Sequence, residues 1–283
     1  MVFAPSSLIL TNYYLPLSEA LYFSGDLVQN LNLRSYESTL KQVFSSHDKK
    51  DFTINCVLEG TMCDVISDCQ ISPSIFLIKN GPFHILGGDS NHSKAKEILD
   101  ILPCGSTILP SPSEWILKLE QQPNIILHKY DRYSLDHKNI SIDYLNEIIT
   151  STPNELSFKK IDAALAHEIY HNEDFQYHLQ NFSSESDFLE RGLGFVAISD
   201  GLIIGVASSA LVCDSGYEIN IMVLPKFRGN SIGKLLAAYL VKLILSRNKI
   251  PHWDAANEIS LNLAKQLGYN FIDKYQAYRV TKI

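Results

Sequence analysis

Across residues 221–234 an apolar run, Ile221-Met222-Val223-Leu224, ends at Pro225, and a short turn bearing Gly229 and Gly233 feeds directly into a helix. Few folds accommodate that arrangement. The first amides of a helix lack internal partners and lie at the positive end of its dipole. A strand–turn–helix with small residues at the turn therefore makes an anion site to which a phosphate can come close. Leu236, Leu240, Leu243 and Ile244 give the helix an apolar stripe, and Lys242, Arg247 and Lys249 crowd its C-terminal end. Neither GxxxxGK[ST] nor GxGxxG is present, which excludes a P-loop and a dinucleotide fingerprint. Upstream, strands are predicted at 194–199, 202–211 and 217–224, the first two joined by the hairpin dipeptide Asp200-Gly201. Downstream, the expected order is strand 252–255, helix 259–267 and strands 269–273 and 275–280. Hairpin strands followed by strand–helix–strand–helix–strand predict an α/β class fold with a mixed sheet.

The turn reads V-x-P-x-F-R-G-x-x-I-G from Val223 to Gly233, which resembles the coenzyme A signature of the GNAT superfamily, [RQ]-x-x-G-x-[GA]. Downstream, Asn257-x-x-Ser260-x-x-Leu263 and Gly268-Tyr269 resemble the second motif of that superfamily. The segment P-x-W-D-x-x-N-x-x-S-x-x-L-A-x-x-L-G-Y at 251–269 is similar to the zwittermicin A resistance acetyltransferases. The resemblance implies acetyl-CoA as co-substrate and transfer of acetyl to a small amine, including amino-bearing antibiotics. It implies that backbone groups of Met222, Val223 and Leu224 pair with the pantetheine arm. Amides of Arg228, Gly229, Asn230, Ser231, Ile232, Gly233 and Lys234 then hold the pyrophosphate, and Asn257 and Ser260 meet the coenzyme from the next helix. Arg228 and Lys234 add charge-assisted contacts, or Lys234 is a solvated helix residue. By the same resemblance Glu218 is the base that removes the amine proton, the alternative being a strand-edge carboxylate in solvent. Asp254 binds a substrate ammonium or caps the following helix; Trp253 walls the amine pocket or fills the core. Two residues depart from the pattern. Ser231 stands where the motif has Gly, and Ala264 where many members have the tyrosine that protonates the leaving thiolate, leaving Tyr275, Tyr278 or solvent. These departures keep open a second reading, a coenzyme-A-binding or sensing protein with little activity.

The N-terminal half reads as helices within 16–47 (pairs Leu27/Leu31 and Leu40/Phe44), a strand at 52–58, and a hairpin of 75–78 and 83–86 around Lys79-Asn80-Gly81-Pro82. Helix 93–102, strand 107–109, helix 113–120 and strand 124–130 follow. Their order echoes the second half, so residues 1–135 are expected to be an N-terminal α/β domain, a degenerate GNAT-like copy, and 136–283 the GNAT domain. In that copy Gly87-Gly88-Asp89-Ser90-Asn91-His92 replaces the phosphate turn, and Asp89 would repel a pyrophosphate.

The 283 residues carry a net charge of −7, from 31 acidic against 24 basic residues, which argues against nucleic acid or an anionic membrane as partner. Five cysteines without a CxxC pair suggest reduced thiols, and with no basic N-terminal region or long apolar run the expectation is a cytoplasmic, soluble protein. The composition is compatible with a homodimer as well as a monomer. His167-Glu168-Ile169-Tyr170-His171 satisfies HExxH, the zinc-protease pattern. Glu185 and Glu190 are third ligands by proximity only, and the segment falls among the helices expected to flank the acceptor cleft, so no metal is expected.

Overall fold

The computed structural model describes Leu27 and residues 33–45, 52–109, 111–153 and 155–283. The expected helix start near residue 16 and the Leu27/Leu31 pair lie outside these residues or reach beyond them. The first half runs α1 (Glu37–Phe44), α2 (Phe52–Glu59), β1 (Asp64–Ser67), β2 (Ile75–Asn80), β3 (Phe83–Gly88), α3 (Ala95–Asp100), β4 (Thr107–Ile108), α4 (Ser113–Glu120) and β5 (Ile125–Asp136). The second runs α5 (Ile142–Thr150), β6 (Ser157–Lys160), α6 (Ala163–Tyr170), α7 (Glu185–Arg191), β7 (Gly194–Ser199), β8 (Leu202–Cys213), β9 (Gly216–Val223), α8 (Ile232–Ser246), β10 (Ile250–His252), β11 (Asp254–Ala255), α9 (Glu258–Lys265) and β12 (Asn270–Lys282).

Two mixed sheets result, one ordered β1-β2-β3-β4-β12-β5-β11 and the other β10-β9-β8-β7-β6. The fold is mixed α/β, and one topology occurs twice. In each half three antiparallel strands lead to a helix, then to a strand parallel to the third, then to a helix and a long last strand. The last strands are exchanged. β12 pairs with β4, β5 pairs with β11, and β5 and β12 pair antiparallel with one another. A pseudo-twofold passes near the Asp131↔Gln276 rung, where the Gln276 amide donates to the Asp131 carboxylate. Just past that rung, Tyr278 and Arg279 meet β4, while Tyr133 and Ser134 meet β11.

Three local expectations are corrected. Residues 52–58 are helix, not strand. Phe52 and Cys56 of α2 pack into the core of the second half, while Ile54 and Val57 pack into that of the first. Burial on two faces erases the single stripe by which a helix is recognised, and a short apolar run then passes for a strand. The strand expected at 124–130 continues to Asp136 because β11 offers it a second partner. The two strands expected at 269–273 and 275–280 are one, kinked by a bulge between Phe271 and Asp273.

Buried histidines set the acid stability. His178 is fully buried with Nδ1 2.7 Å from Ser208 Oγ, and burial holds its pKa down at about 3. Burial likewise lowers His84 to about 4, against the opposing pull of the Pro82 carbonyl. Both stay neutral in the fold, whereas the unfolded chain binds protons below a pKa of about 6.5. Stability is thus fully present above that pH and is lost as pH falls toward the folded values, at up to about 1.4 kcal/mol per pH unit for each histidine. Urea unfolding between pH 7 and 4.5 is expected to show a falling midpoint; a flat one would mean that these imidazoles are charged in the fold.

Candidate active site

The site is built where β9 and β10 part. They pair in parallel at Gly216, Tyr217 and Glu218, the last rung being Glu218↔His252. The chain then turns away, and Asp254 and Ala255 join β5 in the other sheet. Residues 219–223 of β9 therefore have β8 on one side and an open edge on the other. The result is a wedge with Glu218 at its apex and the start of α8 at its mouth.

At the apex the Glu218 carboxylate replaces the missing ladder. Its Oε1 accepts the Asp254 backbone N–H at 3.1 Å, and its Oε2 contacts His252 Nδ1. His252 stacks on Phe52 of α2, ring centroids 5.1 Å apart, so the first half walls this end of the wedge. Asp254 Oδ2 accepts from Arg132 (Nη2 at 2.9 Å, Nε at 3.0 Å) and from the Tyr275 hydroxyl at 2.6 Å. Burial alone would lower the Arg132 guanidinium, but the Asp254 carboxylate outweighs it, with help from Tyr275 and Tyr130, and raises it above the usual arginine range. Arg132 also lies 5.2 Å from the Phe83 ring centroid. Asp254 Oδ1 is buried and, among the described residues, has no hydrogen-bond partner. Asp254 does not cap α9; Asn257 does, its side chain accepting from Ser260 N at 2.9 Å. The helix start at 258 places Asp254 before the cap position and frees its carboxylate for Arg132.

At the mouth, Ser231 is the N-cap of α8 in the left-handed region, φ 58°, without a side-chain cap bond, and Gly229 precedes it at φ 85°. Among the described residues no acceptor engages the amides of Gly229, Asn230, Ser231, Ile232, Gly233 and Lys234, so they are available to an anion. A Cβ at Gly233 would make only ordinary contacts, with Leu263 and Val223 at 3.6 and 3.7 Å. Arg228 folds back, its Nε donating to Val223 O at 3.0 Å, and Lys234 Nζ lies 5.9 Å from the Tyr144 ring centroid. Met222 and Val223 lie on the open edge and Met222 Sδ accepts from Tyr177 Oη, whereas the Leu224 amide is committed to Ile204 O of β8.

Trp253 is buried. Its Nε1–H donates to Ser260 Oγ at 3.0 Å, and it packs edge-on to Tyr269. It belongs with the core of the second half, and it occupies the Ser260 hydroxyl. Tyr269 is held neutral, chiefly by burial and then by the Glu218 charge, and donates to Pro251 O at 2.8 Å. Ala264 is buried. Of the two tyrosines offered in its place, Tyr275 contacts Asp254, while Tyr278 packs on the core of the first half. Three contributors carried no signal in sequence: Arg132 sits in a polar stretch, Phe52 in a segment expected to be a strand, and His252 at an unspecified position of the 251–269 motif.

The equivalent turn of the first half is closed. Asp89 O and Oδ1 accept from the amides of His92 and Asn91, His92 takes those of Lys94 and Ala95, and Trp115 and Lys118 cap the carbonyls of Gly88 and Ser90. The amides of Asn91, His92, Lys94 and Ala95 are thereby taken by the turn itself.

A family model described as GNAT acetyltransferase matches residues 41–278. The chain belongs to that family. A GCN5-related N-acetyltransferase-like protein from Streptococcus suis 89/1591 is 27% identical with a TM-score of 0.77, covering 88% of this chain and 99% of that one. At the level of fold alone, a tandem GNAT protein from the clavulanic acid biosynthesis pathway is similar (TM-score 0.52, 12% identity, covering 90% and 98%). So is a GNAT-family acetyltransferase from Colwellia psychrerythraea (TM-score 0.51, 10% identity, 90% and 99%). No protein of curated function matches the chain.

Two outcomes test this geometry. Ser231→Gly relieves a left-handed non-glycine residue and is expected to stabilise the fold by about 0.5–1 kcal/mol, net of glycine entropy. Urea midpoints of the two proteins measure it. Arg132→Met leaves the Asp254 charge buried and uncompensated and is expected to cost about 3–5 kcal/mol in the same assay.

Proposed function

We propose that this GNAT-family acetyltransferase is an acetyl-CoA-dependent N-acetyltransferase acting on a small-molecule amine. The observation that carries the reading is the wedge, an unpaired strand edge that runs from a row of unengaged helix-start amides to the half-buried carboxylate of Glu218. The residues fit a long ligand with a pyrophosphate at one end and a reactive group at the other: amides 229–234 for the anion, the open edge at Met222 and Val223 for an amide-bearing arm. The motif at 251–269 supports membership of the zwittermicin A resistance acetyltransferases and an amino-bearing antibiotic as acceptor. Five cysteines without a CxxC pair support work in a reducing cytoplasm, and no described helix is long and apolar enough to cross a membrane.

Acetyl-CoA supplies the activated acyl group. Formation of the amide C–N bond breaks the thioester C–S bond; the neutral amine loses one proton to the protein, and the leaving thiolate would take one up from solvent. Glu218, in contact with His252, accepts the amine proton as a carboxylate–imidazole pair, the imidazole oriented by the carboxylate. The unpartnered Asp254 Oδ1 is an acceptor for the ammonium form of the substrate, and Arg132 and Tyr275 hold it in place. No observation favours the reading as a coenzyme sensor.

Acetyl-CoA is expected to raise the thermal midpoint of the protein, and Gly233→Asp, which sets a carboxylate among the anion-binding amides, is expected to abolish that shift. Glu218→Gln should keep the shift and lose about 10²–10⁴-fold in kcat for amine acetylation. Absence of any shift at millimolar acetyl-CoA would overturn the proposal.

A further inference from the structure

The HExxH pattern is not absorbed by acyl transfer, and of the two third ligands that proximity offered, the fold brings Glu185 to it. His167 and His171 lie one turn apart on the exposed side of α6, ring centroids 4.4 Å apart. Glu185 opens α7 from the far end of an intervening loop. Its Oε1 is 3.2 Å from His167 Nδ1 and 3.9 Å from His171 Nε2, and one donor atom from each of the three residues lies within 4.8 Å of the other two. We propose that His167, His171 and Glu185 bind a divalent transition-metal ion that ties α6 to α7.

The geometry suits such an ion. Tetrahedral zinc with bonds of about 2.0–2.1 Å sets its donor atoms about 3.3 Å apart, close to the spacing already present. Side chains exposed to 66% and 61% at the two histidines can close the remainder by rotation. Two imidazoles and one carboxylate suit Zn²⁺, Co²⁺, Ni²⁺ or Cu²⁺, whereas Mg²⁺ and Ca²⁺ prefer oxygen donors. Glu185 has Ser184 as N-cap beside it, and the helix start favours its negative charge. The protease chemistry of HExxH does not follow. Among the described residues Glu168 makes no polar contact with either histidine or with Glu185, and the cluster stands on open surface. The ion would instead brace two helices that share the core residues Ala166, Ile169 and Phe188. The loop between them carries Tyr177, whose hydroxyl reaches Met222 on the open edge of β9.

The test uses the full, untagged chain stripped with chelator and titrated calorimetrically with Zn²⁺, then with Co²⁺ read by its visible absorption. One equivalent of Zn²⁺ is expected to bind and to raise the thermal midpoint, with Mg²⁺ inert. His167→Gln, His171→Gln and Glu185→Gln are each expected to weaken Zn²⁺ at least about tenfold, since losing even an outer hydrogen-bond partner of a metal ligand costs that much. All three positions are at the surface, so circular dichroism should be unchanged. His92→Gln, which removes a histidine elsewhere, should leave binding intact. Failure of Zn²⁺ to bind at one equivalent, or equal affinity in a His167→Gln/His171→Gln double variant, overturns the site.

Discussion

Past the Glu218↔His252 rung, β9 and β10 separate, and the backbone amide of Asp254 is left without the strand partner that parallel pairing would have supplied. A buried donor in that position is costly unless an acceptor replaces the ladder. The Glu218 carboxylate does so, and it also engages His252. Asp254 then carries the connection into the second sheet, where Arg132 of β5 and Tyr275 of β12 receive its own carboxylate. One chain of hydrogen bonds thus runs from the strand at the wedge to the last strand of each half. The opening between the strands and the union of the two sheets have the same cause.

Exchange of last strands makes the two halves interdependent. β4 is completed by β12 and β5 completes β11, so the seven-stranded sheet is whole only with strands from both halves, while the five-stranded sheet is built from the second half alone. α2, buried in both cores, reinforces the joint and supplies Phe52 to the apex. The halves share an order of elements and differ in the turn after their third strand. In the second half, at a turn with left-handed Ser231 and Gly229, six amides have no acceptor among the described residues. In the first, Asp89 and His92 close the same kind of turn upon itself, and the neighbouring helix seals its carbonyls. One topology thus leaves a row of unengaged amides in one turn and a self-bonded turn in the other, by local hydrogen bonding alone.

Much of this was legible from local pattern. The hairpins at Asn80-Gly81 and Asp200-Gly201 and the strand–turn–helix at 221–234 each depend on residues close in sequence, where turn chemistry and helix-end geometry decide the outcome. The residues around Asp254 were legible only as candidates. Its neighbours suggested a cap, but a cap depends on where the helix begins, and the helix begins after Asn257. Trp253 is a core residue because Ser260 meets its indole N–H inside the fold.

The sequence by itself determined the α/β order, the family signature and the open amides at the start of α8, because these arise within a few residues of one another. Only the tertiary structure decided that Arg132 would neutralise Asp254, that Phe52 would stack on His252, and that Glu185 would complete a pair of histidines. Arg132 and Asp254, like Phe52 and His252, are separated by long stretches of chain, while Glu185, a candidate by proximity, follows His171 across one loop. No periodicity encodes these meetings; they occur because two halves exchange strands and two helices share a core.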